Sequence, residues 1–216
     1  MEHPDLAAER VDYRRDHLVE EQLPAHWLSL FDRWMDEAFA LKDGGTLPEP
    51  TAMVVSTVAD GRPSSRTVLA KQADADGFVF FTNYDSRKGQ ELTADPLVAL
   101  LFGWYPLQRQ VRVEGTAERL PRPESEDYFA GRPRGSQLGA WASAQSTEVT
   151  LAQLDACYAA AEERFAGRVV PCPEYWGGIR VRPSSVEFWQ GRPGRMHDRL
   201  CYRLTGDMWQ VSRLAP

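Results

Sequence analysis

The sequence lacks the features that mark several large classes of protein. No apolar run in its 216 residues approaches the ~18–20 residues that cross a membrane. Its N-terminal segment has no apolar stretch of the signal-peptide type, so we expect a cytoplasmic protein. Three cysteines, an odd number without C-x-x-C spacing, favour reduced thiols over a disulfide framework. Four histidines without metal-ligand spacing predict no metal site.

Several nucleotide-binding and hydrolase motifs are also missing, among them G-x-G-x-x-G after a strand, the P-loop and the nucleophile elbow. An excess of positive charge is missing too, because 25 basic residues face 31 acidic ones and the net charge is −6. Binding to nucleic acid or to an acidic membrane needs an excess of cations on one face. The basic residues cluster only locally, which suits a small anionic ligand. The clusters are Arg87 with Lys88, Arg132 with Arg134, and Arg195 with Arg199.

Hydrophobic periodicity predicts an α+β protein. At 43% hydrophobic residues, the chain can bury a substantial core. Residues 1–22 are strongly charged and predict a mobile N-terminal arm, while residues 23–216 predict one domain. Apolar side chains repeat at three and four over residues 24–41, as in an amphipathic helix.

Further along the chain the period changes to two, as in β-strands. Strands are predicted at residues 52–58, 65–71, 77–82, 96–104, 108–117, 179–182, 186–190, 196–204 and 208–213. Further helices are predicted at residues 86–94, 123–130 and 148–166, and a rigid loop at 131–136. Short strands in hairpin order with helices between them predict an antiparallel barrel decorated by helices.

The stretch 187–199, read E-F-W-Q-G-R-P-G-R-M-H-D-R, has an unusual charge pattern. If the chain is extended after its turn, Arg195, His197 and Arg199 point to one face. Two fixed cations and an imidazole repel one another unless an anion neutralises them. Arg and Lys side chains are the usual means of holding phosphate. Other such donors are Arg66, Lys71, Thr82, Arg87, Lys88, Arg132, Ser136, Gln145 and Ser146.

Two details of these donors leave alternatives open. Arg66 and Lys71 are five positions apart, so a regular strand sends them to opposite faces. Either the strand is bulged or the two residues serve different ligand groups. Arg87 and Lys88 fall in the first turn of a predicted helix, where the helix dipole disfavours cations. Either an anion binds there or the two side chains are simply solvated.

The sequence from about residue 13 to residue 216 resembles the pyridoxine/pyridoxamine 5′-phosphate oxidase family, with nine motifs in the same order. They are A-M-V-V-S-T-V (52–58), S-R-T-V-L-A-K (65–71), F-F-T-N with S-R-K-G (80–89), R-Q-V-R-V-E-G (109–115), Y-F-x-x-R-P-R-x-S-Q-L-G-A-W (128–141), Q-S (145–146), W-G-G (176–178), E-F-W-Q-G with R-M-H-D-R (187–199), and the terminal R-L-A-P.

The resemblance implies an α+β fold, an antiparallel, Greek-key-like split β-barrel with peripheral helices. It implies a homodimer with one non-covalent FMN per subunit, bound at the subunit interface. The implied activity is oxidation of pyridoxine or pyridoxamine 5′-phosphate to pyridoxal 5′-phosphate, a step in vitamin B6 metabolism. Hydride passes from C4′ of the substrate to FMN, and O2 takes the electrons to give H2O2.

The resemblance also implies the site residues. FMN would contact Arg66, Thr67, Val68, Leu69, Ala70, Lys71, Phe81, Thr82, Arg87, Lys88, Gln110, Gln145, Ser146, Trp189 and Arg199. The substrate would contact Lys71, Tyr128, Arg132, Ser136, Arg195, Met196 and His197, with Arg10 and Tyr13 of the arm covering it. Arg195 and His197 are the implied catalytic residues: Arg195 orients the ring and stabilises charge, and His197 orients the substrate or relays its proton.

Two other functions compete with this one. A split-barrel flavin oxidase could act on another ring, such as a phenazine precursor, but such a substrate would not need the phosphate donors Arg132 and Ser136. A non-catalytic protein could merely bind FMN or pyridoxal phosphate, but it would not need Arg195 and His197.

Overall fold

A computed structural model describes residues 12–216, so the predicted ligand Arg10 lies outside the described residues. Within that range the chain forms five α-helices, nine β-strands and three short 3-10 turns. The helices are α1 (Trp27–Ala40), α2 (Arg87–Ala94), α3 (Arg122–Ala130), α4 (Arg134–Ala142) and α5 (Leu151–Arg164). The strands are β1 (Ala52–Ala59), β2 (Arg62–Leu69), β3 (Gln72–Asp74), β4 (Gly77–Asn83), β5 (Leu97–Trp104), β6 (Arg109–Arg119), β7 (Trp176–Gln190), β8 (Asp198–Thr205) and β9 (Met208–Arg213).

Polar side chains mark where three of the helices begin. His26 Nδ1 accepts a hydrogen bond from the Leu28 N–H at the start of α1, and Ser86 Oγ accepts one from the Gly89 N–H at the start of α2. Thr150 opens α5 with a capping box. Each cap satisfies a backbone donor that the helix itself leaves free. The helices predicted at 24–41, 86–94 and 148–166 are therefore confirmed, with ends shifted by a few residues.

The strands follow the order β2-β1-β5-β6-β7-β4-β3, and β8 pairs with β7 and with β9. β1 and β2 form an antiparallel hairpin in which Val55 is opposite Arg66. Its two turn residues, Asp60 and Gly61, both have positive φ angles, 51° and 72°. Such a turn matches the twist of the strands that it connects. The hairpin predicted at this point is confirmed.

The chain packs as two compact units. The α1 unit comprises the described residues up to Pro50 with Leu101–Val113 and Ser185–Pro216. Its core is aromatic: Phe31 meets Phe102 at 5.2 Å between ring centroids, and Trp34 meets Phe188 at the same separation. The apolar face of the amphipathic helix predicted over residues 24–41 therefore packs into this core. The prediction of one domain over residues 23–216 stays a prediction.

The cleft unit comprises Thr51–Leu100 and Glu114–Ser184. One part of its core joins α3, α4 and α5 to the start of β7. The buried members of this cluster are Phe129, Leu138, Ala161, Phe165, Val170 and Trp176. No helix of residues 12–216 has the length and apolar character needed to cross a membrane.

Two predicted elements are wrong. The loop predicted at 131–136 becomes helix at Arg134, because Pro133 is extended (φ −52°, ψ 138°) and the residues after it turn into α4. The strands predicted separately at 179–182 and 186–190 are one strand, β7. β7 pairs with β4 as far as Val181 and with β8 from Ser185. Pro183 therefore lies between the residues of β7 that pair with β4 and those that pair with β8, so its missing N–H interrupts neither of these two pairings.

Candidate active site

A cleft of about 1320 Å³ opens in the cleft unit. Ligand pockets for small molecules are typically ~300–1,000 Å³, so this cleft has room for a large ligand or for two smaller ones. Fourteen of the predicted ligand residues line it: Arg66, Thr67, Val68, Leu69, Lys71, Phe81, Thr82, Arg87, Lys88, Tyr128, Arg132, Ser136, Gln145 and Ser146. The predicted ligand Ala70 is buried instead, and its N–H donates to the Thr51 carbonyl.

Arg66 and Lys71 both line the cleft, although a regular strand would separate them. β2 ends at Leu69, so the alternation of side chains stops before Lys71. The Lys71 N–H donates to the Val79 carbonyl at 2.8 Å. The condition of a regular strand through Lys71 is therefore not met, because β2 ends two residues earlier than predicted.

Lys88 is a buried cation on this cleft, with 8% of its surface exposed. Its Nζ donates to three neutral oxygens: Thr82 Oγ1 at 3.0 Å, Ser86 Oγ at 3.3 Å and Gln145 Oε1 at 3.2 Å. Within residues 12–216 no carboxylate forms a salt bridge with it. Burial, with the neighbouring Arg66 adding to it, lowers the pKa of Lys88 below its usual value. A buried ammonium without a counter-ion favours an anion beside it.

The start of α2 is held close to the backbone that precedes it. A Cβ added at Gly89 would lie 2.2 Å from the Tyr84 carbonyl oxygen, so only glycine fits there. The Arg87 N–H donates to Ser146 Oγ at 3.2 Å. The Arg87 side chain forms a salt bridge with Glu91 one turn later, at 2.8 Å. This salt bridge partly offsets the unfavourable interaction predicted between the Arg87 charge and the helix dipole.

Arg132 is a second cation of the cleft without a described counter-ion. Its Nη1 is buried and has no hydrogen-bond partner in the part of the chain that the structure describes. Its guanidinium lies over the Trp176 ring at 4.6 Å and near Phe129 at 5.5 Å. Burial lowers the pKa of Arg132 below its usual value. Lys71 and Ser136 line the same cleft, so this group can bind an anion together.

Stacked aromatic rings form one wall of the cleft. Phe81 and Tyr128 stack at 3.7 Å between centroids with an interplanar angle of 8°. Trp176 stacks on Phe81 at 5.4 Å. Burial raises the pKa of Tyr128, so its hydroxyl stays protonated at neutral pH and can donate a hydrogen bond. The wall offers both an apolar surface and a polar donor.

The remaining predicted ligands that the structure describes belong to the α1 unit. The His197 ring lies 4.6 Å from the Trp189 ring and 5.6 Å from the Tyr13 ring, between centroids. His197 Nδ1 accepts a hydrogen bond from the Arg192 N–H at 3.1 Å. Burial, with Arg195 adding to it, lowers the pKa of His197 below its usual 6.5. The neutral imidazole therefore carries its proton on Nε2.

The common face predicted for Arg195, His197 and Arg199 is wrong. Arg195 lies in a 3-10 turn with a φ angle of 61°, and β8 begins only at Asp198. Arg199 is already neutralised, because its Nε and Nη2 donate to the two oxygens of Glu187 at 2.8 and 3.1 Å. The cationic triad does not exist as predicted.

Two other predicted ligands, Gln110 and Met196, also belong to the α1 unit. Gln110 lies on β6 and is half-buried. Met196 follows the 3-10 turn and is 65% exposed. Neither residue lines the cleft described above. In residues 12–216 no group of three or more His, Cys, Asp or Glu side chains could hold a metal ion.

Two family models match most of the chain. The model described as pyridoxamine 5′-phosphate oxidase covers residues 44–165, which is more than half of the sequence. The chain belongs to the pyridoxamine 5′-phosphate oxidase family. A second model, described as the pyridoxine 5′-phosphate oxidase C-terminal dimerisation region, covers residues 176–216. This second match supports the homodimer predicted from the sequence.

Known proteins resemble this oxidase-family chain over almost its whole length. A Nocardioides sp. protein named pyridoxine/pyridoxamine 5′-phosphate oxidase is 56% identical and covers 100% of both chains. PhzG from Burkholderia lata, solved with tetrahydrophenazine-1-carboxylic acid, is 32% identical, with a TM-score of 0.83 over 93% of this chain and 98% of its own. A pyridoxamine 5′-phosphate oxidase-related, FMN binding protein from Nostoc punctiforme is 16% identical, with a TM-score of 0.66 over 84% and 96%. The predicted α+β split-barrel fold is confirmed.

Besides Glu187, which pairs with Arg199, sequence reasoning missed the buried carboxylates Glu91 and Asp198 of this oxidase-family chain. Glu91 pairs with Arg66 and Arg87 in the cleft unit. Asp198 pairs with Arg192 and Arg213 in the α1 unit. The spacing of four between Arg87 and Glu91 is a signal that could have been read. Asp198 offered no such signal, because its partners come from a turn and from the last strand.

Proposed function

We propose that this chain is an FMN-dependent oxidase that converts pyridoxine 5′-phosphate or pyridoxamine 5′-phosphate to pyridoxal 5′-phosphate, with O2 as electron acceptor and H2O2 as product. One observation carries the proposal. The cleft contains two cations without a carboxylate partner among the described residues: the buried Lys88 and the half-buried Arg132, whose Nη1 is buried. Cofactor and substrate each carry one phosphate, so two such cations in one cleft match the two ligands.

The residues around Lys88 fit the phosphate of FMN. Lys88, Arg66 and the Thr82 hydroxyl supply charged and neutral donors, and Gln145 and Ser146 line the same cleft. Such charge-assisted contacts suit a phosphate dianion. When bound, FMN supplies the two-electron chemistry by accepting hydride.

The residues around Arg132 fit the phosphate of the substrate. The orphaned Nη1 of Arg132 would gain an acceptor, and Lys71, Ser136 and the protonated Tyr128 hydroxyl would add donors. The phosphate is remote from C4′, the carbon that is oxidised. Its binding energy can therefore hold the reacting carbon in place without being lost in the chemical step.

His197 and Arg195 have distinct roles in this proposal. Because His197 Nδ1 already accepts the Arg192 N–H, its Nε2–H is the group free to act on a ligand. We assign His197 to orienting the substrate by hydrogen-bond donation, rather than to taking up a proton at Nδ1. Arg195 is an exposed guanidinium, and we assign it to orienting the ring and stabilising negative charge that develops on it.

The FMN sites lie at the subunit interface in this proposal. The match to the dimerisation region, residues 176–216, includes the predicted ligands Trp189, Arg195, His197 and Arg199. A segment that makes the dimer is thus the same segment that carries predicted ligands. The location that we propose is the cytoplasm, on the sequence grounds given above.

The phenazine alternative has weaker support. PhzG is 32% identical, whereas the relative named for the phosphorylated vitamers is 56% identical over the whole chain. Binding alone, without catalysis, is the remaining alternative, and a turnover assay separates it from the proposal.

The assay adds pyridoxine or pyridoxamine 5′-phosphate to the purified yellow protein under air and follows pyridoxal 5′-phosphate and H2O2. We expect both products in equal amounts, and little turnover of unphosphorylated pyridoxine as the matched control. A flavin-loaded protein that forms neither product would support the binding role. Protein that takes up no FMN would contradict the whole proposal.

Arg195→Met tests the role of Arg195 in the same assay. Losing a charged contact to the reacting ring should lower kcat on the order of ten- to a hundred-fold, while the flavin stays bound. Arg192→Met is unsuitable as a control because the Arg192 side chain pairs with the buried Asp198, so exposed Arg203→Met serves instead. Unchanged turnover in Arg195→Met would remove Arg195 from the site.

A further inference from the structure

We propose that Glu91 is a positioning residue that holds the guanidinium groups of Arg66 and Arg87 at the end of the cleft where the FMN phosphate binds. The inference rests on the proposed function, because it takes FMN to be the ligand. It goes beyond that function by assigning a role to a carboxylate that does not itself line the cleft.

The geometry around Glu91 links the two arginines. Glu91 Oε2 accepts a hydrogen bond from Arg66 Nη2 at 2.9 Å, and Oε1 accepts one from Arg87 Nε at 2.8 Å. The carboxylate is 7% exposed. Each of its oxygens therefore fixes a different guanidinium, and both of those arginines line the cleft.

Thr57 completes the arrangement. It is fully buried, its hydroxyl donates to Glu91 Oε2 at 2.5 Å, and its Oγ1 accepts from Arg66 Nη1 at 2.6 Å. Arg66, Thr57 and Glu91 thus form a closed triangle of hydrogen bonds. Thr57 does not line the cleft either, so it acts on a ligand only through Arg66 and Glu91.

A carboxylate near a phosphate site has two opposed effects. Its negative charge repels the phosphate, which weakens binding. It also holds the long side chains of Arg66 and Arg87 in one rotamer each, which removes an entropy cost from binding. Burial alone raises the pKa of Glu91, but hydrogen bonds from Thr57, Arg87 and Arg66 outweigh burial and leave its pKa below the usual value. Glu91 is therefore ionised at neutral pH. Its hydrogen bonds to Arg66 and Arg87, at 2.9 and 2.8 Å, favour the effect of holding the two side chains over the repulsion of the phosphate.

The test compares FMN with riboflavin, which has the same ring but no phosphate. Apoprotein of wild type and of Glu91→Gln is titrated with each flavin, and quenching of flavin fluorescence gives the Kd. We expect the Kd for FMN to rise on the order of ten- to a hundred-fold, as for loss of a charged hydrogen bond. The Kd for riboflavin should stay the same, because only the phosphate donors are disturbed.

The matched control is Glu126→Gln. Glu126 forms the same kind of pair, with Arg122 four residues earlier at 2.7 Å, and it does not line the cleft. This variant should bind FMN and riboflavin as wild type does. An equal loss of FMN affinity in Glu126→Gln would overturn the inference, since any helical ion pair would then have the same effect.

Three results for Glu91→Gln would overturn the inference while the proposed function stands. They are unchanged FMN binding, tighter FMN binding through loss of repulsion, and equal losses for FMN and riboflavin. Wild-type apoprotein that binds neither flavin would instead contradict the proposed function and the inference with it.

A second pair of variants covers a failure of Glu91→Gln to fold. Thr57→Val removes the hydroxyl that donates to Glu91, whereas Thr57→Ser keeps it. We expect Thr57→Val to weaken FMN binding by several-fold to about ten-fold without affecting riboflavin, and Thr57→Ser to restore it. Equal FMN affinity in the two variants would overturn the inference, because the triangle of hydrogen bonds would then be irrelevant to phosphate.

Discussion

The two units of the chain both bury cations, but they differ in how those cations are neutralised. In the α1 unit the buried Arg109 forms salt bridges with Asp16 at 2.9 Å and Glu37 at 2.7 Å. In the cleft unit, Lys88 and Arg132 have no carboxylate partner among the described residues. The α1 unit thus supplies the counter-ions of its buried arginine, whereas in the cleft unit a bound anion would neutralise Lys88 and Arg132.

This difference distinguishes cations that stabilise the fold from cations that are available to bind a ligand. A buried cation without a counter-ion costs stability, so it persists where a bound anion offsets the cost. A buried cation with two carboxylates already has its partners and stabilises the fold. Variants of the two kinds should therefore fail in different measurements.

The largest effect is expected from the α1 unit, at Asp198. This carboxylate is 1% exposed and accepts hydrogen bonds from the Leu18 N–H, Arg192 and Arg213. Asp198→Asn should lower the free energy of unfolding by about 3 kcal/mol, measured by urea denaturation. Exposed Asp207→Asn is the control.

The same variant has a pH signature. Burial alone raises the pKa of Asp198, but hydrogen bonds from Leu18, Arg213 and Arg192 outweigh burial and leave it below 3.8. A depressed carboxyl pKa contributes stability above its unfolded value and loses it as the pH falls through the folded value. The difference between wild type and Asp198→Asn should therefore be full above about pH 5 and shrink below about pH 4. A difference that is independent of pH would contradict the assignment.

Lys88→Met should show the opposite behaviour. Removing the buried ammonium should raise the Kd for FMN on the order of a hundred-fold, while the apoprotein is as stable as wild type or more stable. Fluorescence titration and thermal unfolding of the apoprotein measure the two effects. Exposed Lys42→Met is the control. A less stable apoprotein with normal FMN affinity would place Lys88 in the structural class.

Arg132 and Arg134 offer a matched pair two residues apart, on either side of the start of α4. Arg134 donates to the carbonyls of Phe165 and Arg168, whereas Arg132 Nη1 has no described partner. Arg132→Met should raise the KM for the phosphorylated substrate roughly ten-fold or more. Arg134→Met should lower Tm and leave KM unchanged. The reverse pattern would show that the two arginines have been assigned the wrong way round.

The smallest effect concerns His197. Because burial and Arg195 lower its pKa below 6.5, its imidazole stays neutral down to a pH below that value. The acid limb of the kcat/KM profile should therefore lie below pH 6.5. His197→Asn, which keeps a donor, should retain activity within about ten-fold and lose that limb. A limb at or above pH 6.5 would contradict a neutral, donating His197.

Much of the fold was predictable from local patterns. The apolar periodicity of α1, the alternation along β1 and β2 and the short helix α2 each depend on residues within a few positions of one another. The predictions failed at the ends of elements, which depend on contacts with residues distant in the sequence. β2 ends before Lys71 and β8 begins after Arg195, and neither end follows from periodicity. The two strands predicted at 179–182 and 186–190 are one strand, and Pro183 lies where its partner changes from β4 to β8.

The sequence alone determined the family, the element types and the set of cationic donors. Only the tertiary structure decided which of those cations already have a counter-ion. Glu91 reaches Arg66 across 25 residues of chain, and Asp16 reaches Arg109 across 93. Coulombic and hydrogen-bond energies depend on distance in space and on burial, and spacing along the chain fixes neither. The same residue type is therefore structural in one unit and available to a ligand in the other.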